Sequence, residues 1–226
     1  MTQAAMLRVV LASNNAKKLK ELGALLAPAG VELVTQGSLG IAEAEEPHHT
    51  FIENALAKAR HAARASGLPA LADDSGLCVD ALGGAPGVYS AHYATLPEAV
   101  ADGLDREDLR ARQDAANNAK LLRALADRIE PAARSARFVC TLVAVRSADD
   151  PEPLVAFGRW PGQILPAARG AGGFGYDPLM WIPALGASAA ELATDVKNAH
   201  SHRARAAAEM LRQLDAAWAH LLHPRA

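Results

Sequence analysis

Hydrophobic and polar positions alternate along the chain in blocks that predict a succession of strands and helices. The nearly continuous apolar run Met6-Leu7-Arg8-Val9-Val10-Leu11-Ala12 predicts a mostly buried strand. The polar segment Ser13-Asn14-Asn15-Ala16-Lys17-Lys18 follows, and Leu19, Leu22, Leu25 and Leu26 then recur at helical spacing, with Gly30 placed to stop the helix. Residues 31–35 predict a short second strand. Thr50-Phe51-Ile52-Glu53 has the form of a capping box, in which the Thr hydroxyl takes the Glu amide and the Glu carboxylate reaches back; the helix it opens runs to about Ser66, where Gly67 stops it. Two adjacent carboxylates in Ala72-Asp73-Asp74-Ser75-Gly76 stand between the apolar stretches Leu68-Pro69-Ala70-Leu71 and Leu77-Cys78-Val79, which predicts strand, sharp polar turn, strand.

The second half continues the alternation. Residues 82–89 are rich in turn formers, residues 104–129 predict a long amphipathic helix with Leu109, Leu121, Leu122 and Leu125 in the core, and residues 138–145 form an apolar strand run. Asp149-Asp150-Pro151 then marks a turn into a strand over residues 154–165, giving a hairpin in which Trp160 is a packing residue. Ser188-Ala189-Ala190-Glu191 offers a second capping box, and Ser201 caps a last helix over residues 203–222.

Composition narrows the class. A chain of 226 residues, half of them hydrophobic, suits one compact enzyme-sized domain over residues 1–226, and no repeat or linker divides it. The net charge of −2 comes from 23 basic and 25 acidic residues scattered along the chain, which leaves no electrostatic footprint for nucleic acid or an anionic membrane. No apolar run approaches the length of about 20 residues that a membrane helix needs, and no leader is apparent, so the cytoplasm is the expected compartment. The two cysteines, Cys78 and Cys140, lie in apolar runs and read as buried free thiols.

Within this frame four places carry chemistry. The loop Ser13–Lys18 joins a strand to a helix N-terminus, a setting that suits a phosphate through backbone amides, the helix dipole and a lysine charge; a simple helix cap with surface lysines has the same sequence. It lacks the glycines and the Gly-Lys-Ser/Thr ending of a Walker loop. Asp73 and Asp74 would repel each other without a proton or a cation, and the acidic loop Glu43-Ala44-Glu45-Glu46 has no local structural role, so Glu45 and Glu46 are candidates to meet the aspartates around a divalent metal; a solvated turn and a solvated loop are the plainer alternatives. Gly170-Ala171-Gly172-Gly173-Phe174-Gly175 matches the dinucleotide pattern, but Tyr176-Asp177-Pro178 breaks the helix that pattern requires, which leaves a glycine loop with an aromatic face and a carboxylate for a base. Lys197, His202 and Arg203 gather cationic groups near the start of the last helix. His200 and His202 lack the further ligands a zinc site needs.

Taken together and in order, Ser13-Asn14-Asn15-Ala16-Lys17-Lys18, Phe51-Ile52-Glu53-Asn54-Ala55, Ala72-Asp73-Asp74-Ser75-Gly76-Leu77, Gly172-Gly173-Phe174-Gly175-Tyr176-Asp177-Pro178 and Ser201-His202-Arg203 closely resemble the inosine triphosphate pyrophosphatase family over nearly the whole chain. The resemblance implies an elongated two-lobed α/β fold around a long mixed sheet with a central substrate cleft, a homodimer, magnesium dependence, and hydrolysis of ITP, dITP or XTP to monophosphate and pyrophosphate. By the same resemblance Ser13, Asn15 and Lys18, within the loop that also holds Asn14, Ala16 and Lys17, bind phosphate. Glu45 and Asp74 bind the metal, Asp74 is the proton acceptor, and Ser75 contacts substrate. Phe174, Gly175, Tyr176, Asp177, Lys197, His202 and Arg203 take the nucleotide and its base. Lys17 stands where many relatives carry glycine, and residues 95–116 are longer than the family pattern. The bottom-up chemistry is compatible with this, and leaves Asp73 and Glu46 as alternatives to Asp74 for the base.

Overall fold

The computed structural model describes residues 6–97 and 105–222. Its strands form one open, mixed sheet in the order β2-β1-β3-β4-β5-β6-β7. The strands are β1 (Leu7–Leu11), β2 (Val31–Thr35), β3 (Ala70–Val79), β4 (Ser135–Val145), β5 (Leu154–Ile164), β6 (Met180–Ile182) and β7 (Ala187–Ser188). The main helices are α1 (Ala16–Leu26), α2 (Phe51–Ser66), α3 (Arg106–Ala124), α4 (Thr194–His200) and α5 (His202–Leu222). β1 runs parallel to β2 and to β3, whereas β5, β6 and β7 pair antiparallel, so the α/β class with a mixed sheet is as the sequence implies. Two compact units divide the described chain: residues 6–74, 140–159 and 198–222 in one, residues 75–97, 105–139 and 160–197 in the other.

In the first unit, sheet periodicity sorts side chains to opposite faces. Val9 and Leu11 of β1, Leu71 of β3 and Cys140, Leu142 and Ala144 of β4 pack with Leu22 and Leu26 of α1 and with Ala206, Ala207, Met210, Leu214 and Trp218 of α5. Their neighbours Val10, Ala70, Ala72, Val143 and Val145 pack instead on Ala55, Ala59, Ala62 and Ala63, the small face of α2. The α2 cap keeps the hydroxyl half of the box: Thr50 Oγ1 accepts from the Glu53 amide at 3.2 Å, and the Glu53 carboxylate reaches back to the Thr50 hydroxyl, which donates to Oε2 at 2.6 Å, a cap worth about 1 kcal/mol of helix stability. α5 starts on Ser201, whose Oγ accepts from the Ala204 amide at 3.1 Å. It lies so close to β5 that a Cβ on Gly158 would fall 1.8 Å from the His202 carbonyl oxygen, which only glycine avoids.

In the second unit, Leu77, Val79, Leu121, Leu125, Phe138, Trp160, Ile164, Tyr176, Leu179 and Met180 form the core, and Trp160 sits 6.4 Å from the Phe138 ring, in its packing role. Cys78 and Cys140 are buried free thiols. α3 ends at Ala124, short of the expected 129, because the carbonyls of Leu125 and Arg128 turn to the buried guanidinium of Arg134 at 2.8 and 3.0 Å. Leu104, at the expected start, lies outside the described residues.

Two expectations need correction. The residues 70–79 form one continuous strand without a turn, because Asp73 and Asp74 are buried and paired inside the protein, where a turn would have solvated them. Ser188-Ala189-Ala190-Glu191 keeps half of a capping box, with the Ser188 amide on Glu191 Oε2 at 2.8 Å, yet opens no helix: Ser188 belongs to β7 and its hydroxyl donates to the Arg169 carbonyl, and α4 begins later, at Thr194.

Candidate functional site

The pleat of β3 decides how two adjacent carboxylates coexist. Successive strand residues face opposite sides, so Asp73 points with Leu71 toward α1 and α5, and Asp74 points with Ala72 toward α2. Asp73, 1 % exposed, receives Lys18 Nζ on Oδ1 at 2.5 Å and Arg203 Nε on Oδ2 at 2.9 Å, with Cys140 Sγ 3.4 Å from Oδ2. Arg203 is itself buried and gives Nη1 to Glu21 Oε2 at 2.5 Å. Burial alone would raise the Asp73 pKa, but Arg203 and then Lys18 outweigh it and hold the carboxyl well below its usual range. Asp73 is therefore a fixed anion committed to two cations.

Asp74 is different in kind. Its Oδ1 lies 3.3 Å from Lys58 Nζ, which also contacts Glu46 Oε2 at 2.9 Å and the Asp73 carbonyl at 3.1 Å, while Oδ2 is buried with no hydrogen-bond partner among the described residues. Burial, with help from the nearby Glu46 charge, raises the Asp74 pKa to about 6 against the opposing pull of Lys58 and Lys18. Burial lowers the Lys58 pKa, but Asp74 and Glu46 overcome it and raise the value above the usual lysine range. The result is a buried carboxylate held on one oxygen and open on the other.

Around this pair the first unit gathers the rest of its expected residues. Ser13 Oγ accepts from the Asn15 amide, and Asn15 Oδ1 caps α1 by accepting from the amides of Lys17 and Lys18 at 3.0 and 3.3 Å. The cap thus occupies two of the donors an anion would use and leaves the Lys18 ammonium as the charged donor of this loop. Ala16 and Lys17 are exposed. Asn14 Nδ2 donates to Glu43 Oε1 at 3.0 Å, His61 Nε2 contacts the Ala42 carbonyl at 2.9 Å, and Asn54 holds the His48 backbone, so the acidic loop is pinned at several points. Glu45 is exposed and no contact joins it to Asp74; Glu46 is the loop carboxylate that Lys58 brings toward Asp74. His202 is buried at the start of α5.

In the second unit the glycine loop folds on Asp177. Its Oδ2 accepts from the Phe174 amide at 2.9 Å and from Lys197 Nζ at 2.5 Å, and Lys197 Nζ stands 5.2 Å from the centre of the half-buried Phe174 ring. Gly173 has φ +75° and a Cβ there would meet Asp177 Oδ2 at 2.0 Å, so this approach requires glycine. Tyr176 turns its ring into the core and donates its hydroxyl to the Ser90 carbonyl at 2.9 Å; burial raises its pKa above the usual tyrosine value. Ser75, half-buried, follows Asp74 in β3.

Sequence reasoning missed Lys58, Glu21, Asp114 and Asn118. Glu21 sits on α1 among lysines, at a spacing that reads as an ordinary surface position. A lysine on the alanine-lined face of α2, one turn after Asn54, was the signal available for Lys58, since that face is otherwise buried.

A divalent metal can be tested against these side chains. Among the described residues no group of three or more His, Cys, Asp and Glu side chains could hold a metal ion. Magnesium does not require one, because it keeps several waters and takes one or two carboxylates beside phosphate oxygens. The unpartnered Asp74 Oδ2, with Glu45 and Glu46 on the neighbouring loop, fits that limited demand.

A parallel β-α-β start, a lysine-bearing loop after its first strand and a buried half-satisfied carboxylate in β3 define an α/β protein. The sequence model of the Ham1 family matches residues 9–213, and the chain belongs to that family. A protein of Leptothrix cholodnii named dITP/XTP pyrophosphatase is 74 % identical over 212 residues, 94 % of this chain and 99 % of the relative. One of the same name from Methylibium petroleiphilum is 67 % identical over 94 % of this chain and 99 % of its own length. Among solved structures, a HAM1 protein from Coxiella burnetii superposes with a TM-score of 0.80 at 41 % identity, covering 94 % of this chain and all of that one. The Staphylococcus aureus Ham1 protein gives 0.77 at 32 % identity, over 92 % of this chain and 98 % of that one.

Proposed function

We propose that this protein is a nucleoside triphosphate pyrophosphatase acting on non-canonical purine nucleotides, dITP, XTP and ITP, and that it releases the monophosphate and pyrophosphate. The substrate class follows from relatives of that name that align end to end at up to 74 % identity. The structural observation that carries the mechanism is Asp74, a buried carboxylate with one oxygen tethered to Lys58 and the other unpartnered among the described residues.

Water adds to the α-phosphorus and the α–β anhydride bond breaks, so the reaction needs a proton acceptor for the water and a counter-charge for departing pyrophosphate. Asp74 Oδ2 is the acceptor. Asp73 is excluded from that role by its two cations, and Glu46 is largely exposed and tied to Lys58. Lys58 fixes the Asp74 carboxylate by holding Oδ1. Lys18, with Ser13, Asn14, Asn15, Ala16 and Lys17 in its loop, takes the phosphates, its ammonium staying on Asp73 and turning its remaining donors to the growing negative charge of the departing pyrophosphate. Magnesium held by Asp74 and Glu45 together with phosphate oxygens would supply further neutralisation of that charge.

For the nucleoside, we assign Ser75, Phe174, Gly175, Tyr176, Asp177 and Lys197 in the second unit, and His202 and Arg203 in the first. Phe174 offers a stacking face that does not discriminate among bases. Arg203 can only donate, which suits a 6-oxo group and opposes the 6-amino group of adenine. The active form in this proposal is a cytoplasmic homodimer; no helix among the described residues is long and apolar enough to cross a membrane. The test is a comparison of kcat/KM for dITP, XTP, ITP, GTP and ATP with magnesium, beside a sedimentation measurement of the oligomer. Preference for the 6-oxo, non-canonical bases is expected, and equal turnover of ATP would overturn the assignment.

A further inference from the structure

The base loop has its own mechanical support, which lies on α3. Gly175 adopts a left-handed φ of +63°, and α3 grips its backbone from both sides: its amide donates to Asp114 Oδ2 at 2.8 Å, and its carbonyl accepts from Asn118 Nδ2 at 3.0 Å. Asp114 and Asn118 are four residues apart, so they project from one side of the helix. With the Phe174 amide already on Asp177, the peptide groups before and after Phe174 are both held, and the backbone that carries the ring is fixed. The orientation of the Asn118 amide is dictated as well. Turned over, it would set oxygen against the Gly175 carbonyl oxygen; as it stands Oδ1 is buried without a partner among the described residues, a cost accepted to keep the donor on Gly175. The next residue of the loop is referred to the same helix. Tyr176 donates to the Ser90 carbonyl, which also accepts from Asn117 Nδ2 at 3.2 Å, and Asn117 is wholly buried on α3.

We propose that Asp114 and Asn118 are positioning residues for base recognition, acting through the Gly175 backbone to fix the Phe174 ring, so that α3 sets affinity for the purine while leaving phosphate binding and chemistry alone. This rests on the assignment of the loop Phe174–Asp177 to the base. Removing the Asp114 contact frees the peptide plane next to Phe174, and removing the Asn118 contact frees the plane that follows Gly175, in neither case touching Lys18, Lys58 or Asp74.

The experiment uses the full-length protein as wild type, Asp114→Ala, Asp114→Asn and Asn118→Ala. Steady-state constants for ITP are measured together with calorimetric binding of two probes, inosine monophosphate and inorganic triphosphate, and with melting temperature. In Asp114→Ala and Asn118→Ala, KM for ITP and Kd for inosine monophosphate should each rise about tenfold, the cost of one lost hydrogen bond on a loop that must then be ordered by the ligand. kcat and the Kd for inorganic triphosphate should stay within about twofold. Asp114→Asn keeps an oxygen on the Gly175 amide and should recover most of the loss. Unchanged constants, or equal weakening of both probes, or loss in Asp114→Asn as large as in Asp114→Ala, would overturn the proposal; the asparagine variant, nearly isosteric, keeps the test open if the alanine variant does not fold. Wild-type protein that neither binds inosine monophosphate nor turns over ITP would instead overturn the base-loop assignment itself.

Discussion

Replacing Asp74 with asparagine should abolish turnover and, in metal-free protein, make the fold more tolerant of neutral pH. The folded-state pKa of Asp74 is raised from 3.8 to about 6, chiefly by burial. A raised carboxyl pKa means the fold prefers the protonated group: its contribution is fully present below 3.8 and is lost as pH rises through about 6. Above that range the ionised group opposes folding by about 2 pKa units, or about 3 kcal/mol, and at about pH 5 by about 2 kcal/mol. Asparagine removes the titration and with it the Lys58 ion pair, whose pull on the ionised carboxylate is already contained in the folded-state value of about 6. The difference in unfolding free energy between Asp74→Asn and wild type should therefore move in the variant's favour by about 1 kcal/mol between about pH 5 and pH 7.5. Urea unfolding in excess chelator at the two pH values reads this directly. Parallel pH dependences in the two proteins would refute the reasoning, because Asp74 would then titrate no differently folded than unfolded. Adding magnesium should raise the melting temperature of wild type and leave that of Asp74→Asn unchanged; equal stabilisation of both would remove Asp74 from the metal site.

Lys18→Ala should raise KM for ITP and lower kcat, reducing kcat/KM by about one to two decades as a charge-assisted contact worth about 1.5–3 kcal/mol is lost; the exposed Lys17→Ala should do much less, and equal effects in steady-state kinetics would contradict the loop assignment. Arg203→Ala strips a buried partner from Asp73 and Glu21 and should destabilise the fold by about 3–5 kcal/mol in urea unfolding. The same variant should lose more kcat/KM for ITP than for ATP, and an unchanged ratio of the two would show that Arg203 does not read the base edge. Lys58→Met should lower kcat far more than KM if its work is to hold Asp74, and a pure KM effect in the same assay would place it against substrate instead.

Much of this architecture was legible in the chain. The apolar run at residues 6–12, the leucine spacing that follows and the Thr50–Glu53 box state their elements by local rules, and β1, α1 and α2 form as those rules require. β3 was misread for a physical reason. Local composition describes Asp73-Asp74-Ser75-Gly76 as a turn, and only partners distant in sequence, Lys18 at 55 residues and Arg203 at 130, make it a buried strand. The same distance hid the division of labour between the two aspartates, which depends on strand parity and on which helix covers each face. Lys58 carried one local mark, its place on the alanine-lined face of α2, whereas Glu21 carried none, because a helical glutamate beside lysines looks like a surface residue. Asp114 and Asn118 belong to a helix that packs on the glycine loop 57 to 61 residues onward, and their contacts are to backbone, which no side-chain motif advertises.

The central claim, that Asp74 directs water to the α-phosphorus, is tested most directly by product analysis. With ITP, magnesium and isotopically heavy water, the account predicts one pyrophosphate for each inosine monophosphate, the heavy oxygen on the monophosphate alone, and neither product from Asp74→Asn. Release of orthophosphate and inosine diphosphate, or heavy oxygen in the pyrophosphate, would contradict it.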